Sequence, residues 1–148
     1  MKRIIFLDID MVLNDTAFLR AAYDGAIMLA RDVGDAKLID PVRVERLNRI
    51  IAETGAEVVI SSSWRIQHPH PGVANLLAER GFVGTVIGET PGNESRSAAI
   101  RSAIDKHNPG RWVVIDDIPM GKTFGGHFVH VKDGLEDRHV ERAIEVLR

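Results

Sequence analysis

Short apolar runs alternate along this chain with longer stretches of helical spacing. Ile4 to Leu7, Glu57 to Ile60, Val83 to Ile87, Trp112 to Ile115 and His127 to Val131 are β-branched or aromatic runs bounded by polar residues or glycine, and predict strands. Val44, Leu47 and Ile51 recur at helical spacing behind Asp40-Pro41, a capping carboxylate followed by proline at the first helical position. Val140, Ala143, Ile144 and Leu147 make one apolar stripe with Glu141, Arg142 and Glu145 outside it, so the chain is predicted to end in a helix. Gly72 to Arg80 and Ser95 to His107 predict two more, the second stopped by Asn108-Pro109-Gly110. This alternation predicts an α/β fold, a doubly wound, mostly parallel Rossmann-like sheet with helices on both faces. Such sheets bind ligands beyond the carboxyl ends of their strands.

The stretch 14–39 interrupts the alternation. It carries Phe18, Leu19, Tyr23, Ile27, Met28 and Leu29 where a direct crossover would run from the first strand to the second. Two readings stand: a small flap or cap over the site, or an ordinary crossover helix with a long loop.

Composition narrows the class. With 148 residues, 45% hydrophobic and 27% charged, the chain reads as one globular domain spanning 1–148, without repeats, low-complexity tracts or a linker. The lack of cysteine removes disulfides, thiolate zinc sites and a cysteine nucleophile together. The apolar run before Asp8 is too short for a signal peptide or a membrane span, so a cytoplasmic location and no membrane partner are expected. A formal net charge of -2 argues against tight, nonspecific binding along a nucleic-acid backbone. Recognition of a single terminal phosphate, on RNA or DNA, is compatible with it.

The candidate chemistry falls at the predicted strand ends. The first run delivers Asp8 and Asp10 two residues apart, and in an extended chain both point the same way. Adjacent anions need a cation, and a hard ion such as Mg2+ takes carboxylates together with substrate phosphate oxygens, so the pair reads as a metal site facing a phosphate. A solvated turn after a strand is the plainer reading of Asp-x-Asp alone. The second run ends in Ser61-Ser62-Ser63-Trp64-Arg65, and the fourth in Asp116-Asp117. Attack of a carboxylate on a phosphate monoester brings an anion onto a dianion, so charge must be neutralised first. Asp8 and Asp116 are candidates to share a metal, with a serine hydroxyl and a basic side chain on the phosphate oxygens. Arg96, at the start of the helix before Asp116, is the best placed basic residue; Arg101, Lys106 and Lys122 are the alternatives.

Together these residues resemble the haloacid dehalogenase (HAD) superfamily of phosphohydrolases. Phe6-Leu7-Asp8-Ile9-Asp10 with Val12-Leu13-Asn14 is similar to its first motif, Val59-Ile60-Ser61 to its second, Arg96 to its third and Val114-Ile115-Asp116-Asp117 to its fourth. More narrowly, Ser61 to Arg65 and the ending Phe128-Val129-His130-Val131 through Gly134-Leu135 resemble the HAD domains of Swiss Army Knife RNA repair proteins.

The resemblance implies Mg2+-dependent hydrolysis of phosphate monoesters through an aspartyl-phosphate. Asp8 is then the nucleophile, and Asp10 the acid for the leaving alcohol and afterwards the base for water. It implies Ser61 and Arg96 on the phosphoryl oxygens, with Ser62 in the place of Ser61 if the strand runs one residue further. It implies Mg2+ held by Asp8, Asp10 through its backbone carbonyl, Asp116 and Asp117, the last as ligand or as the residue orienting a bound water. Asp117 capping a turn is the structural alternative. One position departs from the pattern: glycine normally follows the second aspartate, and this chain has Met11, which is tolerable if that position has ordinary helical angles. Met11 therefore keeps a catalytically weak binding module in RNA repair in play, as phosphotransfer to an alcohol remains within the same chemistry.

Other signals carry less. Gly121-Lys122-Thr123 lacks the first glycine of a P-loop, since position 116 is aspartate. A receiver-type signalling domain fails on the order of its acids along the chain. His68 and His70 lie in a proline-flanked loop that reads as exposed, and His127 and His130, three apart on a strand, should not share a zinc ion. Trp64 is a core anchor in the plainer reading and a nucleobase platform in the functional one.

Overall fold

The computed structural model describes residues 1–28 and 35–148, with side chains described outside 25–34. Five parallel strands form one sheet in the order β3-β2-β1-β4-β5: β1 Arg3–Leu7, β2 Glu57–Ile60, β3 Val86–Glu89, β4 Arg111–Asp116 and β5 Phe128–His130. The chain winds outward from β1 in one direction and from β4 in the other, so the strand order reverses between β1 and β4. A crevice opens at such a switch point, beyond the carboxyl ends.

Successive side chains alternate across the sheet, and both faces are covered, which is why β1 reads as an unbroken apolar run. Ile5, Leu7, Val58, Ile60, Val113 and Ile115 point to the face packed by α2 (Pro41–Thr54), α4 (Gly72–Glu79) and α7 (Asp137–Leu147). Ile4, Phe6, Val59 and Val114 point to the other face, under α5 (Arg96–His107) and the short α6 (Gly121–Phe124). Each fully buried side chain of this kind is worth about 1.5–3 kcal/mol over its exposed state.

The capping signals of the sequence operate as read. Asp40 accepts a hydrogen bond from Val42 N, Pro41 opens α2, and Gly55 closes it in the left-handed region at φ 69°. Ser95 caps α5, and the stripe Val140, Ala143, Ile144 and Leu147 is buried along α7. Within α2, Ile50 rather than Ile51 is fully buried beside Val44 and Leu47, with Ile51 at the margin of the core.

The boundaries of β3 and β5 move. The run expected from Val83 to Ile87 forms β3 only from Val86, because Val83 is exposed and its N–H is taken by the Asn48 side chain in a loop. His127 belongs to a short 3-10 turn before β5, stacked on Trp112, and not to the strand.

Helix α2 makes the crossover from β1 to β2, so α1 (Thr16–Met28) and the 3-10 turn Asp35–Leu38 are additional to it. No side chain described in α1 enters either core. Its start is fastened instead: Asp133 accepts from both N and Oγ1 of Thr16, and Asp15 is paired with Arg43 at 2.6 Å. Leu29, counted with this segment in the sequence reading, lies outside the described residues. Among the described residues no helix is long and apolar enough to cross a membrane.

Candidate active site

The carboxyl edge of the sheet brings Ser61, Asp8, Asp116 and His130 into one rung. Leu7 is level with Ile60 and Ile115, so Asp8 is level with Ser61 and Asp116, and Asp116 is paired with His130. Backbone bonds from Asp8 N to Ile115 O at 3.0 Å and from Ser61 N to Leu7 O at 2.7 Å carry the ladder to this point. By alternation these side chains belong to the face of Phe6, Val59 and Val114, where α5 begins.

Asp8 and Asp116 are buried, and carboxylate oxygens of Asp8, Asp116 and Asp117 lie within 4.8 Å of one another. Arg96, the first residue of α5, reaches into this group. Its Nη1 donates to Asp116 Oδ2 at 2.7 Å and to the Ser61 carbonyl at 2.8 Å, and lies 3.4 Å from Asp8 Oδ1. One guanidinium does not balance three acids. Burial, then a hydrogen bond with Asp117 and the charge of Asp116, push the Asp8 carboxyl up to about 9 against the opposing pull of Arg96. Burial likewise raises Asp116, although the Ile118 N–H and Arg96 oppose it. Three carboxylates gathered at a buried strand edge with one guanidinium beside them make a donor set that fits a hard divalent cation.

Asp10 stands apart from this group of acids. The strand ends at Leu7 and the chain turns back, with Val12 N and Leu13 N both bonded to Ile9 O, so the two-residue alternation assumed for Asp8 and Asp10 does not extend this far. The Asp10 carboxylate accepts from Asn14 Nδ2 at 3.2 Å and borders a groove of about 530 Å3. Its side chain is therefore no member of the acid cluster, which leaves only its backbone carbonyl for the metal role implied by the family pattern.

Met11 has φ 65°, the left-handed conformation that glycine adopts freely and methionine does not. The ordinary helical angles that would have made methionine harmless here are not present. Asn14, fully buried, holds the turn: its Oδ1 accepts from Met11 N at 2.7 Å, and its Nδ2 also donates to the Leu38 carbonyl at 2.9 Å.

The serines separate. Ser61 Oγ is buried with no hydrogen-bond partner among the described residues, whereas Ser62 Oγ accepts from Trp64 N at 3.3 Å and so supports the start of α3 (Trp64–Gln67). Of Ser61 and Ser62, Ser61 is thus the one with an uncommitted hydroxyl, and Ser62, expected as its alternative, is committed to the backbone. Of the alternative bases, Arg101 donates to Thr123 O and lies over the Phe124 ring, away from the acids. Asp117 joins the acids, and its carbonyl accepts a bond from His130 Nε2 at 2.9 Å. His130 entered the sequence reading only as a poor zinc ligand, and Asn14 only as part of a motif; nothing in their spacing reveals that one anchors Asp117 and the other Asp10.

The groove beside Asp10 runs between α1, the 3-10 turn Asp35–Leu38 and α3. Leu19, Tyr23, Trp64 and Ile66 supply its apolar wall, and the His68 ring is hydrogen-bonded to the Asp35 carboxylate on its lining. Trp64 packs against the core, as in the plainer reading, and also lines the groove.

A doubly wound sheet with three acids and an arginine at its switch point defines a HAD-type α/β domain. The chain belongs to the family described as the HAD domain in Swiss Army Knife RNA repair proteins, whose model matches residues 4–140. No curated protein and no solved structure matches the chain.

Proposed function

We propose that this protein is a divalent-cation-dependent phosphohydrolase acting on phosphate monoesters through an aspartyl-phosphate on Asp8. The observation that carries this reading is the cluster of Asp8, Asp116 and Asp117 oxygens beside Arg96, with Asp10 facing the adjoining groove.

Ile9 N–H donates to Asp8 Oδ1 at 2.8 Å and fixes the nucleophile. Its carboxylate forms the bond to phosphorus as the ester P–O bond breaks, and Asp10 gives its proton to the departing alkoxide. Water then attacks the same phosphorus, its proton passes to Asp10, and the bond to Asp8 breaks to release phosphate. Arg96 and the free hydroxyl of Ser61 hold the non-bridging oxygens. Asp8, Asp116 and Asp117 are the residues that would hold Mg2+, which when bound supplies positive charge to the phosphoryl group and lets Asp8 ionise.

The leaving group belongs in the groove beside Asp10. Trp64 and Tyr23 offer aromatic faces there, and among the described residues no lysine or arginine lines it. Such a lining suits the terminal nucleoside of an RNA or DNA end better than a run of backbone phosphates, in keeping with the net charge of -2 and with the RNA repair named in the family's description. The deciding experiment is a Mg2+-dependent release assay comparing 3'-phosphorylated and 5'-phosphorylated oligonucleotides with mononucleotides and sugar phosphates. Release from oligonucleotide ends in preference to sugar phosphates is expected; release from sugar phosphates alone would replace the substrate class.

One observation favours a second reading. Met11 occupies a strained turn and its side chain lines the groove, as expected of a binding module whose chemistry has weakened.

A further inference from the structure

Besides Ser61, one more residue at the sheet's carboxyl edge keeps a buried side-chain hydroxyl without a partner among the described residues: Thr90, 2% exposed. Leaving such a hydroxyl unpaired costs stability, and a bound ligand would repay it. Thr90 directly follows β3, and its N–H donates to Ile60 O at 2.9 Å, so it is level with Ser61 on the neighbouring strand.

The direction of its side chain follows from an irregularity in β3. Val58 pairs with Val86, but Val59 pairs with Gly88, so Ile87 is an extra residue and the alternation of β3 is reset there. Two side chains verify the reset. Ile87 packs on the α5 face, whereas Glu89 reaches the opposite face, where its carboxylate accepts from His70 N at 3.1 Å. Thr90, one residue further, returns to the α5 face with Ser61, Asp8 and Asp116. Without the extra residue it would face the other way.

The backbone around the two hydroxyls is clamped. Arg65 donates to the carbonyls of Ser62, Thr90 and Pro91, tying the loop after β2 to the loop after β3. Arg65 thereby holds the Thr90 backbone against the residue that follows Ser61.

We propose that Thr90 Oγ1 is a further phosphate-binding group, donating with Ser61 Oγ to the phosphoryl oxygens of the substrate. The inference rests on the phosphohydrolase reading and adds to it a residue at the carboxyl end of β3, which the motif pattern does not include.

The test uses the full chain with Mg2+ and inorganic phosphate, in wild type and in the Thr90→Val, Thr90→Ser and Ser61→Ala variants, following phosphate affinity by calorimetry and thermal stability without phosphate. Valine keeps the shape and removes an unpaired hydroxyl, so Thr90→Val should melt no lower than wild type yet bind phosphate about ten- to a hundredfold more weakly, the worth of a hydrogen bond to a charged group. Thr90→Ser should restore binding. Unchanged phosphate affinity in Thr90→Val, alongside a loss in Ser61→Ala, would overturn the role of Thr90 and leave the phosphohydrolase standing. A wild-type protein that takes up no phosphate with Mg2+ would overturn both.

Discussion

Arg96 Nη1 lies 2.7 Å from Asp116 Oδ2 and 3.4 Å from Asp8 Oδ1, so a single guanidinium spans the two buried acids of neighbouring strands. It leaves the three-acid cluster short of positive charge, and the raised Asp8 carboxyl holds a proton at neutral pH. A divalent cation must displace that proton. Its affinity should therefore rise with pH across the neutral range, with protons released on binding, as calorimetry in buffers of different ionisation enthalpy would register. An affinity independent of pH would contradict the site.

The same crowding bears on Asp8→Asn. For a carboxyl whose folded pKa exceeds its unfolded value, the native state binds more protons between the two. Stability is then lost as pH rises from about 4 toward the raised value. Removing the carboxylate should raise the melting temperature of the metal-free protein in mildly alkaline buffer while abolishing turnover. Substantial remaining activity would remove Asp8 as nucleophile.

Asp10, held by Asn14 on the lining of the groove, is the proton donor in the proposed mechanism. Asp10→Asn should lower the rate by about 10^2 to 10^4, and less for esters whose leaving groups need no protonation. Equal losses for good and poor leaving groups would count against the acid role.

What the sequence disclosed of this site followed from periodicity. Apolar runs located β1, β2 and β4, and the polar residues just past them had to lie at the sheet's edge, which sufficed for Asp8, Ser61 and Asp116. Contacts set by turns were hidden. Nothing in the spacing of Asp10 shows that the chain reverses at Ile9, or that Met11 takes a positive φ, since both depend on Asn14 closing the turn. The start of β3 was misplaced because Val83 is β-branched yet exposed, and an extra residue at Ile87 leaves no mark in composition. The β-branched run therefore predicts a strand that starts too early, and only cross-strand pairing places Thr90 beside Ser61.

At the far end of the chain, His139 Nδ1 accepts from Glu136 N at 2.9 Å in a capping box at the start of α7. Burial first, and then the charge of Arg138, lower its pKa, so the folded state keeps it neutral. Because the folded pKa lies below the unfolded value, stability present at neutral pH is lost as pH falls below about 6.5. His139→Gln retains an acceptor at that position without the titration. Melting curves from about pH 7 to about 5 should show a steeper loss in wild type than in the variant. Parallel losses would exclude His139 as the source.

Met11 decides between an enzyme and a binding module. A non-glycine residue in the left-handed region costs about 1–2 kcal/mol, and glycine returns about 0.5–1 kcal/mol of that through its freer unfolded chain. Met11→Gly should therefore shift stability little, and upward. If Asp8, Asp10 and the acid cluster are competent as they stand, the rate should change only modestly, because the turn already has the angles glycine would provide and Asn14 already fixes it. Wild-type protein inactive across the ester panel, with activity created by Met11→Gly, would mean that the methionine side chain obstructs the leaving-group groove it lines. The binding-module reading would then replace the phosphohydrolase for the natural chain.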